Sequence, residues 1–106
     1  MRWYKIFDLG QLQQPGIFKV QVAGKTLCAV VANKQVQVLA ARCPHAGADL
    51  STGWRDGEYL ICPRHRYGYD LQTGRGKPGQ GDYVPIYPTQ TRADGVYVGI
   101  KSWWSW

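Results

Sequence analysis

Apolar and polar positions alternate through much of this chain with a period of two, the pattern of strands that bury one face. Ile17 to Val22 shows it most cleanly, and Trp3 to Asp8 predicts a strand before it, the two joined by a polar connection that includes Pro15 and Gly16. Ala23-Gly24-Lys25 predicts a turn into Thr26 to Ala32, and Asn33-Lys34-Gln35 a turn into Val36 to Ala41, so two hairpins follow one another. Further on, Tyr59 to Ile61 and Tyr67 to Leu71 predict a second hairpin region. Val84 to Thr91 and Val96 to Lys101, joined by Ala93-Asp94-Gly95, predict the two strands that close the base sheet. No stretch keeps a helical period long enough to name a helix, and no internal repeat is visible. The expected fold class is all-β, a sandwich.

Two short segments interrupt this pattern with chemistry. Cys43-Pro44-His45 is followed, after 16 intervening residues, by Cys62-Pro63-Arg64-His65. Each segment offers one thiol and one imidazole, and a long hairpin between them can bring both to one point, which makes a four-ligand metal site. A structural zinc finger pairs like ligands on one segment, C-x2-4-C and then H-x3-5-H. Here each segment carries one of each kind, an order that suits a binuclear cluster with two sulfurs on one iron and two imidazoles on the other. Stoichiometric zinc is the main competing reading.

The run CPHAGADLSTGWRDGEYLICPRHRYGYDLQTGR resembles the Rieske [2Fe-2S] proteins of the soluble, ferredoxin type. The likeness covers both ligand segments, Gly47 and Gly53 between them, and the turn from Tyr69 to Gly74. It implies a Rieske-type β-sandwich with a small cluster-binding subdomain at its tip: a single domain over residues 1–106, with the cluster-binding part at about 42–80. It further implies one [2Fe-2S] cluster, with Cys43 and Cys62 on the inner iron and His45 and His65 on the outer, exposed iron. Around the cluster, the resemblance assigns Tyr69 as a hydroxyl donor to a cluster sulfur and Pro78 as part of a loop that covers the flank. Tyr67 stands where respiratory relatives carry a second donor, a serine, and Arg66 stands where glycine is frequent. The respiratory proteins also close a disulfide across the two loops; the matching positions here are Ala48 and Arg64. Lacking serine and disulfide, the cluster is expected at the low end of the Rieske range, roughly −150 mV rather than +300 mV.

Composition narrows the picture further. Seven Tyr, five Trp and two Phe in 106 residues supply bulky core material for one small domain. Of three cysteines, only Cys28 is left once the ligands are assigned, and in the apolar run Thr26 to Ala32 it reads as a small buried hydrophobe. The first residues, Met1-Arg2-Trp3-Tyr4-Lys5, contain no apolar targeting core, and no stretch approaches membrane-spanning length. The expectation is a cytoplasmic protein without a membrane anchor. Gly74-Arg75-Gly76-Lys77-Pro78-Gly79 satisfies G-x-G-x-x-G, but Gln80 to Pro85 cannot start the helix that a dinucleotide fingerprint needs, so no nucleotide site is expected. Ser102-Trp103-Trp104-Ser105-Trp106 is expected to fold back onto the sandwich rather than stand exposed.

The chain is formally +6, with Arg42, Arg55, Arg64, Arg66, Arg75 and Lys77 in or near the ligand region. A basic surface suits nucleic acid in general, but no aromatic-basic RNA motif is present, and steering toward an acidic redox partner explains the charge more simply. Arg64 and Arg66 bracket His65 and are the expected docking residues.

The resemblance therefore implies a one-electron carrier, not an enzyme. It would pass electrons from a reductase to a terminal oxygenase, docking at the cluster tip, with no nucleic acid and no small-molecule substrate. No catalytic residue is expected, since an oxygenase needs further histidines for a mononuclear iron and both histidines here are taken. A non-catalytic Rieske-like subunit, such as the small subunit of nitrite reductase, and a zinc-stabilised binding module are the alternatives.

Overall fold

The structure, a computed structural model, describes residues 1–44, 47–64 and 66–101. Its architecture follows from one strand. Leu27, Cys28, Ala29, Val30 and Val31 form an uninterrupted apolar run, and all five are buried, because β3 (Lys25–Ala32) is covered on both faces. Leu27, Ala29 and Val31 point into a core shared with Phe7, Val96, Val98 and Ile100. Cys28 and Val30 point the other way, into a core shared with Leu50, Leu60, Tyr69, Cys43 and Cys62.

Among the described residues, three antiparallel sheets build these two cores. In the middle lies β2 (Gly16–Val22), β3, β4 (Gln35–Ala40) and β8 (Ile86–Tyr87), in the order β2-β3-β4-β8. One of its faces packs on the sheet β1-β10-β9, made of Arg2–Phe7, Gly95–Ile100 and Thr89–Arg92. The other carries a small three-stranded sheet, β5-β6-β7, made of Trp54–Asp56, Tyr59–Ile61 and Gly68–Asp70. Strand β4 repeats the division of β3: Val38 enters the first core and Leu39 the second. Each fully buried Val or Leu contributes about 1.5–3 kcal/mol. The middle sheet, buried on two sides, is thus the part of the fold that everything else packs against.

Both expected hairpins of the middle sheet are present. Their turns require left-handed backbone: Ala23 and Gly24 have φ of 50° and 78°, Asn33 and Lys34 of 53° and 60°. The polar connection after β1 contains a 3-10 turn at Leu9–Gln13, which buries Leu12. Two expectations change. Val84 to Thr91 is not one strand: β8 pairs with β4 while β9 pairs with β10, and Pro88, which has no N–H to give a ladder, marks the crossing from one sheet to the other. The ligand hairpin has a third strand, β5, whose residues Trp54, Arg55 and Asp56 are all exposed and so show no alternation. Among the described residues no helix follows Gly79. Among the described residues, no helix is long and apolar enough to cross a membrane. The Trp-rich segment 102–106 lies outside the described residues.

Strand β6 delivers Cys62, and its position depends on Gly53. A Cβ at Gly53 would overlap the carbonyl oxygen of Ile61, the residue before Cys62, and the obstacle is backbone. Gly57, with φ of 61°, has open space around it. Gly53→Ala should therefore lower stability by about 3 kcal/mol or more, and Gly57→Ala by only about 1 kcal/mol. Urea denaturation of both variants checks the difference; equal costs would show that the close approach does not matter.

Candidate metal centre

Two loops of matching design hold the cysteines. In the first, the backbone N–H of Cys43 donates to the carbonyl of Ala48 at 2.9 Å; in the second, that of Cys62 donates to the carbonyl of Tyr67 at 2.7 Å. Each loop is thus closed between its cysteine and the residue five positions on. Each also has a left-handed residue four positions after its cysteine, Gly47 with φ of 67° and Arg66 with φ of 56°. Glycine accepts that conformation freely, whereas an arginine is held in it against a cost of about 1 kcal/mol or more. The first loop leaves β4 and the second leaves β6, so the two strands set the separation of the loops. Gly47 N–H donates to the Cys43 carbonyl at 2.7 Å, and Leu50 N–H to that of Ala41 at 2.7 Å.

The cysteine side chains converge. Cys43 and Cys62 are both fully buried, and their sulfurs lie within hydrogen-bonding reach of each other. Among the described residues, no disulfide is formed. Burial pushes the Cys62 thiol above its ordinary range and the neighbouring Cys43 adds to this, while the backbone N–H of Arg64, directed at the Cys62 sulfur, opposes it. Two thiolates side by side in an apolar core would be untenable without a cation between them. A metal centre meets that requirement, so the described half of the donor set fits an iron-sulfur group. Cys28 differs. It is fully buried under the same core, and burial, with the Asp49 charge added, pushes its thiol up to about 12; it is packing material.

Tyr69 is the largest fully buried side chain, and its hydroxyl lies 3.3 Å from Cys43 Sγ. Burial, followed by hydrogen bonds to Cys43 and to Asp82, holds this phenol protonated far above its usual range. A third segment, residues 75–83, is clamped onto β7. Gln80 accepts from Gly68 N–H at 2.9 Å and donates to Gly68 O at 3.0 Å, and Lys77 N–H donates to the same carbonyl at 3.0 Å. Pro78 sits on this segment and is exposed. Arg42, Arg64 and Arg66 are exposed, and none of them forms an ion pair among the described residues. His45 and His65 lie outside the described residues.

Sequence reasoning missed Asp82 and Gln80. Gln80 is 12 residues from the Gly68 it grips, and Asp82 is 13 from the Tyr69 hydroxyl it accepts at 3.0 Å. No periodic signal marks such pairs in a stretch of Gly and Pro. Asp49 was also silent: it accepts from Ser51 N–H at 2.9 Å, capping the 3-10 turn Leu50–Thr52, and pairs with Lys19 of β2.

A family model described as Rieske [2Fe-2S] domain matches residues 2–88. Over 101 residues the chain is 27% identical to the ferredoxin component of a naphthalene 1,2-dioxygenase system of Pseudomonas aeruginosa, covering 94% of this chain and 97% of that protein. The ferredoxin of carbazole 1,9a-dioxygenase from Nocardioides aromaticivorans IC177 superimposes with a TM-score of 0.85 at 25% identity, covering 95% of this chain and 100% of that one. A chain in a complex of reduced oxygenase and oxidized ferredoxin in carbazole 1,9a-dioxygenase shares the fold, with a TM-score of 0.80 at 24% identity and 91% of each chain covered.

Burial alone would raise the Asp49 carboxyl, but Lys19 and the two bonds from Ser51 outweigh it and hold it below the usual carboxylate range. A depressed folded value means that the stabilisation is complete above the unfolded pKa, near 3.9, and is lost as pH falls through the lower folded one. Asp49→Asn should therefore be less stable than the unaltered protein at pH 7, with the gap closing on acidification below about pH 4. Urea midpoints at pH 7 and pH 3 measure this. A gap that stays constant would show that the titrating charge of Asp49 is not what stabilises the fold.

Proposed function

This chain belongs to the Rieske [2Fe-2S] domain family, and from that premise we propose that it is the ferredoxin component of a multicomponent oxygenase, carrying single electrons from a reductase to a terminal oxygenase. The observation that carries the reading is the match to a dioxygenase ferredoxin over 94% of this chain and 97% of that protein. It is an electron carrier and not a catalyst. Both of its two histidines are needed for the cluster, which leaves none for the mononuclear iron of an oxygenase.

The cofactor is one [2Fe-2S] cluster of Rieske type. In this reading Cys43 and Cys62 hold one iron, and His45 and His65 hold the other. When bound, the cluster takes up and gives back one electron, and imidazole ligands make the uptake easier than four thiolates would, because the starting charge is less negative. The chain's own residues do the rest. The loop closures at Cys43 and Cys62 fix the two sulfurs, the Arg64 N–H faces one of them, and Leu39, Leu50 and Leu60 floor the site and keep water from its inner side. Tyr69 and the segment bearing Pro78 border the site. The chain would act as one Rieske domain over residues 1–106, with its cluster-binding part at about 42–80, in the cytoplasm beside its partners.

Partner contact falls on the tip. Arg64 and Arg66 flank His65 in sequence, both are exposed, and among the described residues neither is neutralised by an ion pair. These charges would steer the tip toward an acidic face on the reductase or the oxygenase.

Protein produced with ample iron should contain two irons and two acid-labile sulfides per chain and be red-brown when oxidised; stoichiometric zinc instead would overturn the carrier reading. Arg64→Glu and Arg66→Glu should each slow second-order electron transfer to the cognate oxygenase while leaving the visible spectrum unchanged, because rim charges act mainly on association. The deficit should shrink as salt is raised, since the Debye length is only about 8 Å at physiological ionic strength. Stopped-flow rates equal to those of the unaltered protein at low salt would move the docking face elsewhere.

A further inference from the structure

Tyr69 has one hydroxyl proton and two neighbours able to accept it. Its oxygen lies 3.3 Å from Cys43 Sγ and 3.0 Å from Asp82 Oδ2. Once Cys43 is a metal-bound thiolate it has no proton to offer, so both neighbours are acceptors and they compete for a single O–H. The carboxylate is the stronger competitor. It accepts at 3.0 Å on an oxygen that carries its own charge, whereas the sulfur's charge is shared with the metal.

The aim of Asp82 is fixed from the backbone outward. Gln80 is oriented by its two bonds to Gly68, in which Oε1 accepts and Nε2 donates. The second hydrogen of Nε2 is directed at Asp82 Oδ1, at 3.3 Å. That leaves Oδ2 facing Tyr69. The Asp82 carbonyl accepts from Gly76 N–H at 3.0 Å, which ties down the main chain at the same residue. A phenol carries a single O–H, so there is one proton to allocate and no more.

We propose that Asp82 is a positioning residue that sets the reduction potential by drawing the Tyr69 hydroxyl proton away from Cys43. A donor to a ligand sulfur stabilises the negative charge added on reduction and so raises the potential. Asp82 withholds that donor, and the Cys43 sulfur faces a lone pair of the Tyr69 oxygen instead. The inference rests on Cys43 being an iron ligand, as in the function proposed above. It assigns Tyr69 a conditional role: the hydroxyl tunes the centre only when Asp82 lets it.

The isosteric variant Asp82→Asn separates the possibilities, because Gln80 dictates how the new amide sits. Its Oδ1 keeps the bond from Gln80 Nε2, so its Nδ2 replaces Oδ2 and donates to the Tyr69 oxygen. Tyr69 must then turn its O–H onto Cys43. Measured by spectroelectrochemistry, the one-electron equilibrium should shift toward the reduced form by about tenfold or more, equivalent to ~59 mV. Tyr69→Phe alone should shift it by less than about threefold, and Asp82→Asn added to Tyr69→Phe should do no more, since the route through the hydroxyl is gone.

A tenfold rise that persists in the Tyr69→Phe background would overturn the proposal in favour of a direct charge effect. So would an unchanged or lower midpoint in Asp82→Asn, or a tenfold fall in Tyr69→Phe alone. The unaltered protein gives an independent reading. After exchange into D2O and reduction, pulsed EPR should show no strongly coupled deuteron that Tyr69→Phe removes; finding one would also overturn the proposal. Iron and labile-sulfide content, measured on each sample, keeps two failures apart. Unaltered protein without the cluster would sink the carrier reading, whereas loaded proteins with unmoved potentials would sink only the role of Asp82.

Discussion

Two thiols must stand side by side at the edge of an apolar core with no covalent link to hold them there. Most of the structure answers that constraint. A disulfide between the loops, which the resemblance to respiratory Rieske proteins would put at positions 48 and 64, would contribute about 2–4 kcal/mol, but those positions hold Ala48 and Arg64. The chain uses two loop-closing hydrogen bonds instead, Cys43 to Ala48 and Cys62 to Tyr67, each worth about 1 kcal/mol net. Those two together reach only the low end of that range. The difference is supplied from below, by Leu39, Leu50 and Leu60, all fully buried under the sulfurs, at about 1.5–3 kcal/mol apiece. The loops are held down more by their floor than by their closures.

That floor explains why β3 and β4 are built as they are. A strand that served one core would alternate, yet five consecutive residues of β3 are buried because the sheet supports the base sandwich on one face and the cysteine loops on the other. Disturbance of either face reaches the other through the thickness of a single sheet. It also makes the surroundings of the sulfurs dry. In such surroundings short hydrogen bonds act strongly, while the exposed Arg42, Arg64 and Arg66 face solvent, where salt screens them. Tuning of the centre therefore falls to groups close to the sulfurs, the Arg64 N–H and the Asp82–Tyr69 pair, and the proposed role of the arginines is to act at a distance on partners.

What the sequence disclosed and what it concealed divide along the same line. The ligand spacing was legible because each loop is a local unit, and the hairpins around Gly24 and Lys34 were legible because their strands alternate or run apolar between turn residues. Strand β5 left no trace, since all three of its residues are exposed and pairing with β6 alone defines it. Val84 to Thr91 read as one strand because periodicity does not report which partner a strand chooses; Pro88 was the only local hint of a change of sheet. The contacts of Gln80 and Asp82 were out of reach altogether, being made across a dozen residues by polar groups in a segment with no pattern. Periodicity finds elements that bury surface, and it is silent about polar side chains that reach across a loop.

Arg66 shows local geometry and surface chemistry in direct conflict. The two loops share a plan, and at the fourth position after the cysteine the plan calls for left-handed backbone. The first loop meets it with Gly47, the residue best suited to that region, while the second meets it with an arginine. A strain of about 1 kcal/mol or more is appreciable against a total stability of about 5–15 kcal/mol. Packing does not account for the side chain, since Arg66 is exposed, and among the described residues no ion pair does. The closure of the second loop does not require it either, because the Cys62 to Tyr67 bond uses backbone groups only. With packing, pairing and loop closure set aside, what distinguishes arginine from glycine at this position is a positive charge presented to solvent next to His65 in the chain. The fold tolerates the strain at that one residue, and the docking role proposed for Arg66 is a benefit that would lie outside the fold, in whatever approaches the tip.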